Sequence, residues 1–322
     1  MVEKPLGIHS GREGPVVPLS PQLGVGEAFG RIVGHELHQL QTWIPIAHDN
    51  SHVEGIHQAR VSLRRMRSAV GVFAKSMPLD SLKHWSDTMR WLATALGPAR
   101  DMDVFLEESL QPVLGKTSFR TGETVLLELT RDRRLALQAQ VCTTLESPRC
   151  REFISGFDRW LADRTWFQQD IPATTRLKLT RGIGVFARET LEKRYGKLVL
   201  RGKDLTSLSA PELHELRIAC KKMRYVSDFF SSLLPENRLR LFLRNLKTIQ
   251  GVLGLMNDVA TLPSTLDSLL EGVTEVDVLR FAGVVLGWRA KGYEDQRLQL
   301  PRYWDEFLKS PLPWREKGYA LR

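Results

Sequence analysis

The chain is predicted to be all-α and to consist of two related halves. Apolar residues recur at helical spacing through most of the sequence, and no stretch alternates with the period of two that a half-buried strand requires. The segment from His57 to Phe73, HQARVSLRRMRSAVGVF, returns 157 residues later as HELRIACKKMRYVSDFF, His214 to Phe230. His57 is matched by His214, Arg60 by Arg217, Arg64 by Lys221, Arg65 by Lys222, Arg67 by Arg224 and Phe73 by Phe230. The same displacement carries Phe29 to Phe186, Arg31 to Arg188, Lys83 to Arg240, Arg90 to Lys247, and Leu96–Asp101 (LGPARD) to Leu253–Asp258 (LGLMND). So long a register, at a period far above that of a solenoid, marks an internal duplication. Each half is large enough to be a domain. The expected division is a mobile arm over residues 1–22, rich in Gly and Pro and without period, a first helical half over 23–168 and a second over 169–322.

The elements come in order. From Val25 to Ile44, Phe29, Ile32, Val33, Leu37 and Leu40 share one helical face, and Arg31, His35 and His38 share another. Pro45 to Asn50 reads as a loop. Ser51 and Glu54 have capping-box spacing for the first motif helix, and Ser209 and Glu212, with Pro211 in the first turn, repeat the device. Met77-Pro78 ends that helix, and the next runs to Leu96 with Trp85, Met89 and Leu92 inward. Gly97-Pro98 breaks it, and Asp101 is placed to cap a helix that begins with Val104 and Phe105. The alternative use of Asp101, and of Asp258 in the second copy, is to orient the motif arginines by ion pairing. Long and short helices over Glu123–Leu145 and Pro148–Asp163 complete the first half. In the second, Phe186 and Leu191 sit on the opening helix, and Gly196 to Ser209 reads as a loop before the second motif helix. Helices then run over Pro235–Leu253 and around Val276–Gln296, with an apolar tail holding Trp304 and Phe307.

The motif helix carries the chemistry. At about 100° per residue, His57, Arg60, Arg64 and Arg67 fall within an arc of roughly 80°, with Arg65 to one side. Ile56, Ala59, Leu63, Met66, Val70 and Phe73 fall opposite. Like charges at i,i+3 and i,i+4 weaken an isolated helix by a few tenths of a kcal/mol per pair, so a row of cations with no acid among them calls for an anion along it. Arginine suits that use because its planar fork grips two phosphate oxygens and stays charged. Seven residues of helix climb about 10 Å, enough for several successive phosphates. A second cationic stripe, Arg240, Arg244 and Lys247, lies on the Pro235–Leu253 helix.

The pattern H-x-x-R-V-x-x-R-R-x-R followed by L-G-x-x-R-D-x-D-V resembles the signature of the CHAD family, named for a conserved histidine α-helical domain. The resemblance runs from about residue 23 to the C-terminus and includes both copies of the motif. It implies two pseudo-symmetric four-helix bundles with a basic groove or pore between them, binding inorganic polyphosphate without catalysis. The residues it puts on the polymer are His57, Arg60, Arg64, Arg65, Arg67 and Arg90 with His214, Arg217, Lys221, Lys222, Arg224 and Lys247. Arg31, Arg188, Lys83, Arg240 and Arg244 are further candidates. Asn257 stands where the first copy has Arg100, so no phosphate contact is expected there.

Other readings are weaker. A formal charge of +9 and a pI near 9.6 point to a polyanion without choosing one. Nucleic acid is the main alternative, but single-strand binders interleave aromatics with cations, and only Tyr225, beside Arg224, offers a platform. A scaffold that docks acidic proteins, or brings partners to polyphosphate granules, is compatible with the same surface. Glu54-x-x-His57 fits half of a di-iron site, but Pro211 stands where the second glutamate is needed, and His48-Asp49 lacks the further ligands of a metal phosphohydrolase. No G-x-x-x-x-G-K-[ST] phosphate loop is present, and neither cofactor nor metal is expected. Three cysteines without a C-x-x-C pair, no run of 18 apolar residues and no apolar leader point to a reducing cytoplasmic location away from the membrane.

Overall fold

The computed structural model describes residues 16–168 and 170–315. Among them are 13 α-helices and no strand beyond a single bridge between Gly24 and Gly182. The helices are α1 (Val25–Asp49), α2 (Glu54–Phe73), α3 (Leu79–Ala95), α4 (Gly97–Val104), α5 (Arg120–Glu146), α6 (Pro148–Ala162) and α7 (Thr165–Gln168). They continue with α8 (Ala173–Thr180), α9 (Ile183–Arg201), α10 (Ala210–Phe229), α11 (Glu236–Leu269), α12 (Val276–Arg297) and α13 (Leu300–Leu308). Helices α9, α10, α11 and α12 each begin within one residue of α1, α2, α3 and α5 moved by 157.

All six residues of the predicted α2 seam are buried. The seam packs on α1 and, through its last turn, on the second half. Phe73 stacks on Phe186 at 5.1 Å and meets Phe230 edge-on at 6.3 Å. Phe29 touches Phe73 at 5.6 Å, as Phe186 touches Phe230 at 6.3 Å. These four rings occupy two pairs of register-related positions, and edge or offset contacts of this kind add about 0.5–1.5 kcal/mol each beyond area burial. The apolar core runs through both halves without interruption. The α5–α12 crossing is so close that a Cβ on Gly122 would lie 2.3 Å from the Asp277 carbonyl oxygen. The two halves therefore share an interior.

Several boundaries differ from the sequence expectation. α1 does not stop at Ile44 but carries Pro45 inside it to Asp49, with Asn50 left-handed at φ 51° as its cap. Its last carbonyls are taken up by α5: Gln138 Nε2 donates to the Ala47 and His48 oxygens at 2.8 and 3.1 Å. That satisfies backbone groups a helix end otherwise leaves orphaned. α9 likewise continues through Gly196 to Arg201. α11 runs straight through Gly254 to Leu269, whereas the matching Gly97-Pro98 divides α3 from α4.

The Ser51 capping box does not form: Val53 is the N-cap, and Glu54 accepts a hydrogen bond from Gln58 Nε2 instead. The box at Ser209 and Glu212 does form. Asp101 is not a cap either, since α4 begins at Gly97 and Asp101 lies within it. Of the expected mobile arm, residues 1–15 lie outside the described residues. The remainder is held against the body, with Leu19 buried and its N–H donating to Ser232 Oγ at 3.1 Å.

Candidate anion-binding site

The site is built where α2 meets α10. Arg64 from α2 and Arg224 from α10 converge on the ring of Tyr225, their guanidinium carbons 5.8 and 5.6 Å from its centre. Arg217 lies one turn before Lys221 on α10, and both stand within the field of Arg64 across the junction. The Nε atoms of Arg64, Arg67 and Arg217 are buried and have no hydrogen-bond partner. A buried donor left in that state costs about 1–3 kcal/mol. Burial pulls the Arg60, Arg67 and Arg217 guanidiniums below their ordinary value.

Lys221 is half-buried. Burial first, then the charges of Arg217, Arg64 and Arg224, hold its amine down to about 7, with Asp258 pulling weakly the other way. A group of cations desolvated together and facing one another is costly in the absence of a counter-charge.

The remaining expected ligands divide. Arg60 turns Nη1 onto the Ala93 carbonyl through space that Gly97 leaves open, where a Cβ would sit 3.1 Å from that nitrogen. Arg90 on α3 stands beside Arg67 and extends the row, with Asp87 at 3.7 Å. His57 is half-buried in the first turn of α2, and His214 is exposed in the first turn of α10. Lys83, Lys222, Arg240, Arg244 and Lys247 are exposed, Arg240 pairing with Glu236 at 2.9 Å. Arg31 and Arg188 have other neighbours. Arg31 donates to the Pro18 carbonyl at 3.2 Å in a hollow with Glu27, Arg164 and Trp166, and Arg188 sits near Glu192, which binds Arg315.

Arg65 is a correction. It is buried, and its Nε donates to Glu36 Oε1 at 2.7 Å while Nη1 donates to Asp228 Oδ2 at 3.1 Å. Burial alone would lower its pKa, but the two carboxylates outweigh it and leave the guanidinium above its usual value. Arg65 thus pins α1, α2 and α10 together, and its register partner Lys222 has no such role. Tyr225 is a second correction: at 3% exposure, beneath two guanidiniums, it cannot serve as a stacking platform for a base.

Three residues outside the expected set join the site. Asp101 and Asp258, themselves 157 apart, face the cations of α2 and α10 respectively and feel each other. Partial desolvation and Asp258 push the Asp101 carboxyl up against the pull of Arg60. Arg100 stands beside Arg60, and its buried Nη1 makes no hydrogen bond but lies 3.9 Å from Glu107 Oε2. All three belong to the LGPARD and LGLMND segments, so the signal was in the sequence. The second aspartate of the first motif plays a structural part, because Asp103 is buried in an ion pair with Arg134 of α5. His48 is held between Asp49 Oδ1 and Glu146 Oε1 at 2.9 and 2.7 Å, and hydrogen bonds to these carboxylates raise its pKa. Among the described residues, no group of three or more His, Cys, Asp and Glu could hold a metal ion.

The family description "CHAD domain" matches residues 31–267, most of the chain. The chain belongs to the CHAD domain family. The CHAD fold is also seen in solved structures. The chain resembles the crystal structure of the CHAD domain from the plant Ricinus communis, with a TM-score of 0.77 at 24% identity over 93% of this chain and 96% of that one. It resembles PptA from Streptomyces chartreusis with a TM-score of 0.62 at 13% identity, over 88% and 99% of the two chains. At these identities the likeness is one of fold. A comparison with curated proteins gives no match. None of the helices among the described residues of this CHAD chain is long and apolar enough to cross a membrane.

Proposed function

We propose that the chain is a non-catalytic binder of inorganic polyphosphate, and that the polymer lies in a basic groove where the two duplicated helical halves meet at α2 and α10. The observation that carries this reading is the set of buried, unpartnered Nε donors on Arg64, Arg67 and Arg217 beside the half-buried Lys221. These donors come from two register-related helices, though not from matching positions on them, and need acceptors that are small, closely spaced and highly charged. Successive phosphates of a linear chain meet all three needs, and each charge-assisted bond contributes about 1.5–3 kcal/mol. CHAD membership supports the same ligand. A cytoplasmic binder of this kind would associate with polyphosphate granules and could bring protein partners there.

Nucleic acid is disfavoured by the aromatics. Tyr225 is buried, Trp160 and Trp166 are in the core, and the exposed Trp288 on α12 is covered by Lys116 at 4.8 Å. Trp91, half-buried beside Arg90, is likewise covered, by Arg149 at 4.3 Å. Base stacking, worth about 1–3 kcal/mol per base in single-strand binders, therefore finds no open platform where α2 meets α10 among the described residues.

Titration calorimetry with long-chain polyphosphate, short-chain polyphosphate, orthophosphate, single-stranded DNA and duplex DNA at two salt concentrations tests the proposal. Affinity should rise with chain length until both helices are spanned, because the second helix then acts at high effective concentration. Arg64→Ala and Arg217→Ala should each weaken long-chain binding roughly tenfold or more and flatten its salt dependence. Single-stranded DNA of matched charge binding as tightly as the long polymer would reduce the site to a general polyanion surface.

A further inference from the structure

Nucleophilic amines are rare on proteins at neutral pH because an ordinary lysine is almost wholly protonated. Two arrangements change that: desolvation of the amine, and cations beside it. Lys221 has both. It lies half-buried on α10 with Arg217 one turn before it and Arg224 one turn after, Arg64 of α2 faces it across the junction, and Asp258 of α11 is the acid among the charges acting on it. The convergence of Arg64 and Arg224 on the Tyr225 ring fixes two of those cations independently of any titration.

We propose that Lys221 is a site of covalent acylation by small acyl phosphates, which the surrounding guanidiniums draw in and activate. This rests on the reading of the α2–α10 face as a seat for phosphoryl groups. The phosphate of the reagent would be held by Arg64 and Arg217, whose Nε donors are unpartnered. The lone pair of the neutral Nζ attacks the acyl carbon. The bond from that carbon to the phosphate oxygen breaks, orthophosphate leaves with the electron pair, and Nζ releases one proton to solvent. An amide results. The guanidiniums assist by stabilising the charge gathering on the leaving oxygen, and because its amine is held at about 7 roughly half of Lys221 is neutral at pH 7.

The modification removes one positive charge from the middle of the α10 row, so it would lower polyanion affinity. Bound polyanion, in turn, would favour the protonated amine and cover it. Acylation and polymer binding therefore exclude each other at this position. The neighbouring Lys222 is exposed, which makes it an internal control on the same helix.

The experiment incubates the full chain with acetyl phosphate between pH 6 and 9 and tracks each lysine by quantitative peptide mass spectrometry. Lys221 should acquire the acetyl group at least tenfold faster than Lys222, with a rate that rises through pH 7 and levels off above 8. Arg217→Ala should slow it several-fold, and long-chain polyphosphate should protect it. Lys221→Arg should lose that one modification and no other. Labelling of Lys221 no faster than Lys222 would overturn the proposal. Polyphosphate binding is titrated in parallel on the unmodified protein. Normal binding without preference for Lys221 defeats the acylation alone, whereas absent binding defeats the reading of the site beneath it.

Discussion

Replacing Arg65 by methionine separates a structural cation from a ligand-binding one. The guanidinium is 6% exposed, and the carboxylates it joins, Glu36 and Asp228, are 4% and 6% exposed. It also lies 5.4 Å from the centre of the Phe229 ring. Removing one member of a buried ion pair costs about 3–5 kcal/mol, because the surviving charges stay buried without compensation. Here two carboxylates survive, so the upper part of that range applies. Lys222→Met, at the register-related but exposed position, should stay within about 0.5 kcal/mol of the parent. Urea unfolding monitored by circular dichroism, with the slope checked for constancy, reads both values.

The sign of the pH dependence comes from the same charges. Without Arg65 the two acids are raised in the folded state above their unfolded values. Their contribution is then intact at low pH and is lost as pH rises through the raised folded values, so the deficit should be smaller at pH 5 than at pH 8. A triple variant, Glu36→Gln, Arg65→Met and Asp228→Asn, should recover much of the loss, as neutral replacement of buried ionic groups does. A cost below about 1 kcal/mol, far under the range for a broken buried pair, would refute the argument. So would a stable Arg65→Met protein that no longer binds polyphosphate, since Arg65 would then belong with the ligands after all.

The remaining predictions concern Lys221, the helix starts and one close crossing. Polyphosphate should favour the charged form of Lys221, so affinity should fall from pH 7 to pH 9, and Lys221→Arg should flatten that fall in a calorimetric series. For the unliganded protein the sign reverses: the folded value of about 7 lies below the ordinary 10.5. The unfolded chain thus binds more protons between the two, and stability from this group rises with pH across that window. Ser209→Ala removes half of a formed capping box and should cost about 1 kcal/mol in denaturant unfolding, while Ser51→Ala, where no box forms, should change nothing measurable. Gly122→Ala forces a Cβ against the Asp277 carbonyl oxygen and should destabilise by about 1–3 kcal/mol or more. A neutral result would mean that α5 and α12 cross less closely than their backbones indicate.

The features legible in the sequence were local or periodic. The α2 seam could be named residue by residue because burial there obeys the 3.6-residue repeat, and the Ser209 box could be read because its two partners are three residues apart. The features that stayed hidden depended on contacts distant in the chain. A helical wheel places Arg65 near the cations and cannot show that Glu36, 29 residues earlier, and Asp228, 163 residues later, reach it. Pro45 reads as a breaker, yet α5 takes up the carbonyls at the end of α1 and the helix persists. Repeat logic misled at Leu253. Gly97 is followed by a proline and Gly254 by a leucine, and a glycine alone costs a helix about 1 kcal/mol without ending it. Asp101 was readable as a cap because Gly97-Pro98 suggests a gap before it, but Pro98 opens α4 and carries Asp101 inside.

The junction that buries Arg65 also explains why cations can be held so close together. The Phe29, Phe73, Phe186 and Phe230 rings and the Glu36–Arg65–Asp228 triad fix α2 against α10 by contacts that do not involve the anion site. The repulsion among Arg64, Arg217, Lys221 and Arg224 is therefore borne by the fold before any ligand arrives. Under the proposed function, an entering polyanion would relieve that repulsion instead of ordering loose side chains against it, which is the advantage of a preorganised site. Asp101 and Asp258 moderate the unliganded charge, and they carry a consequence of their own. Phosphates arriving there would push the already raised Asp101 carboxyl further toward protonation, just as they would push Lys221 toward its charged form. Both responses take up protons. Binding should accordingly draw protons from the buffer near neutral pH, visible as a dependence of the measured enthalpy on buffer ionisation heat, and Lys221→Arg should remove the larger share of it.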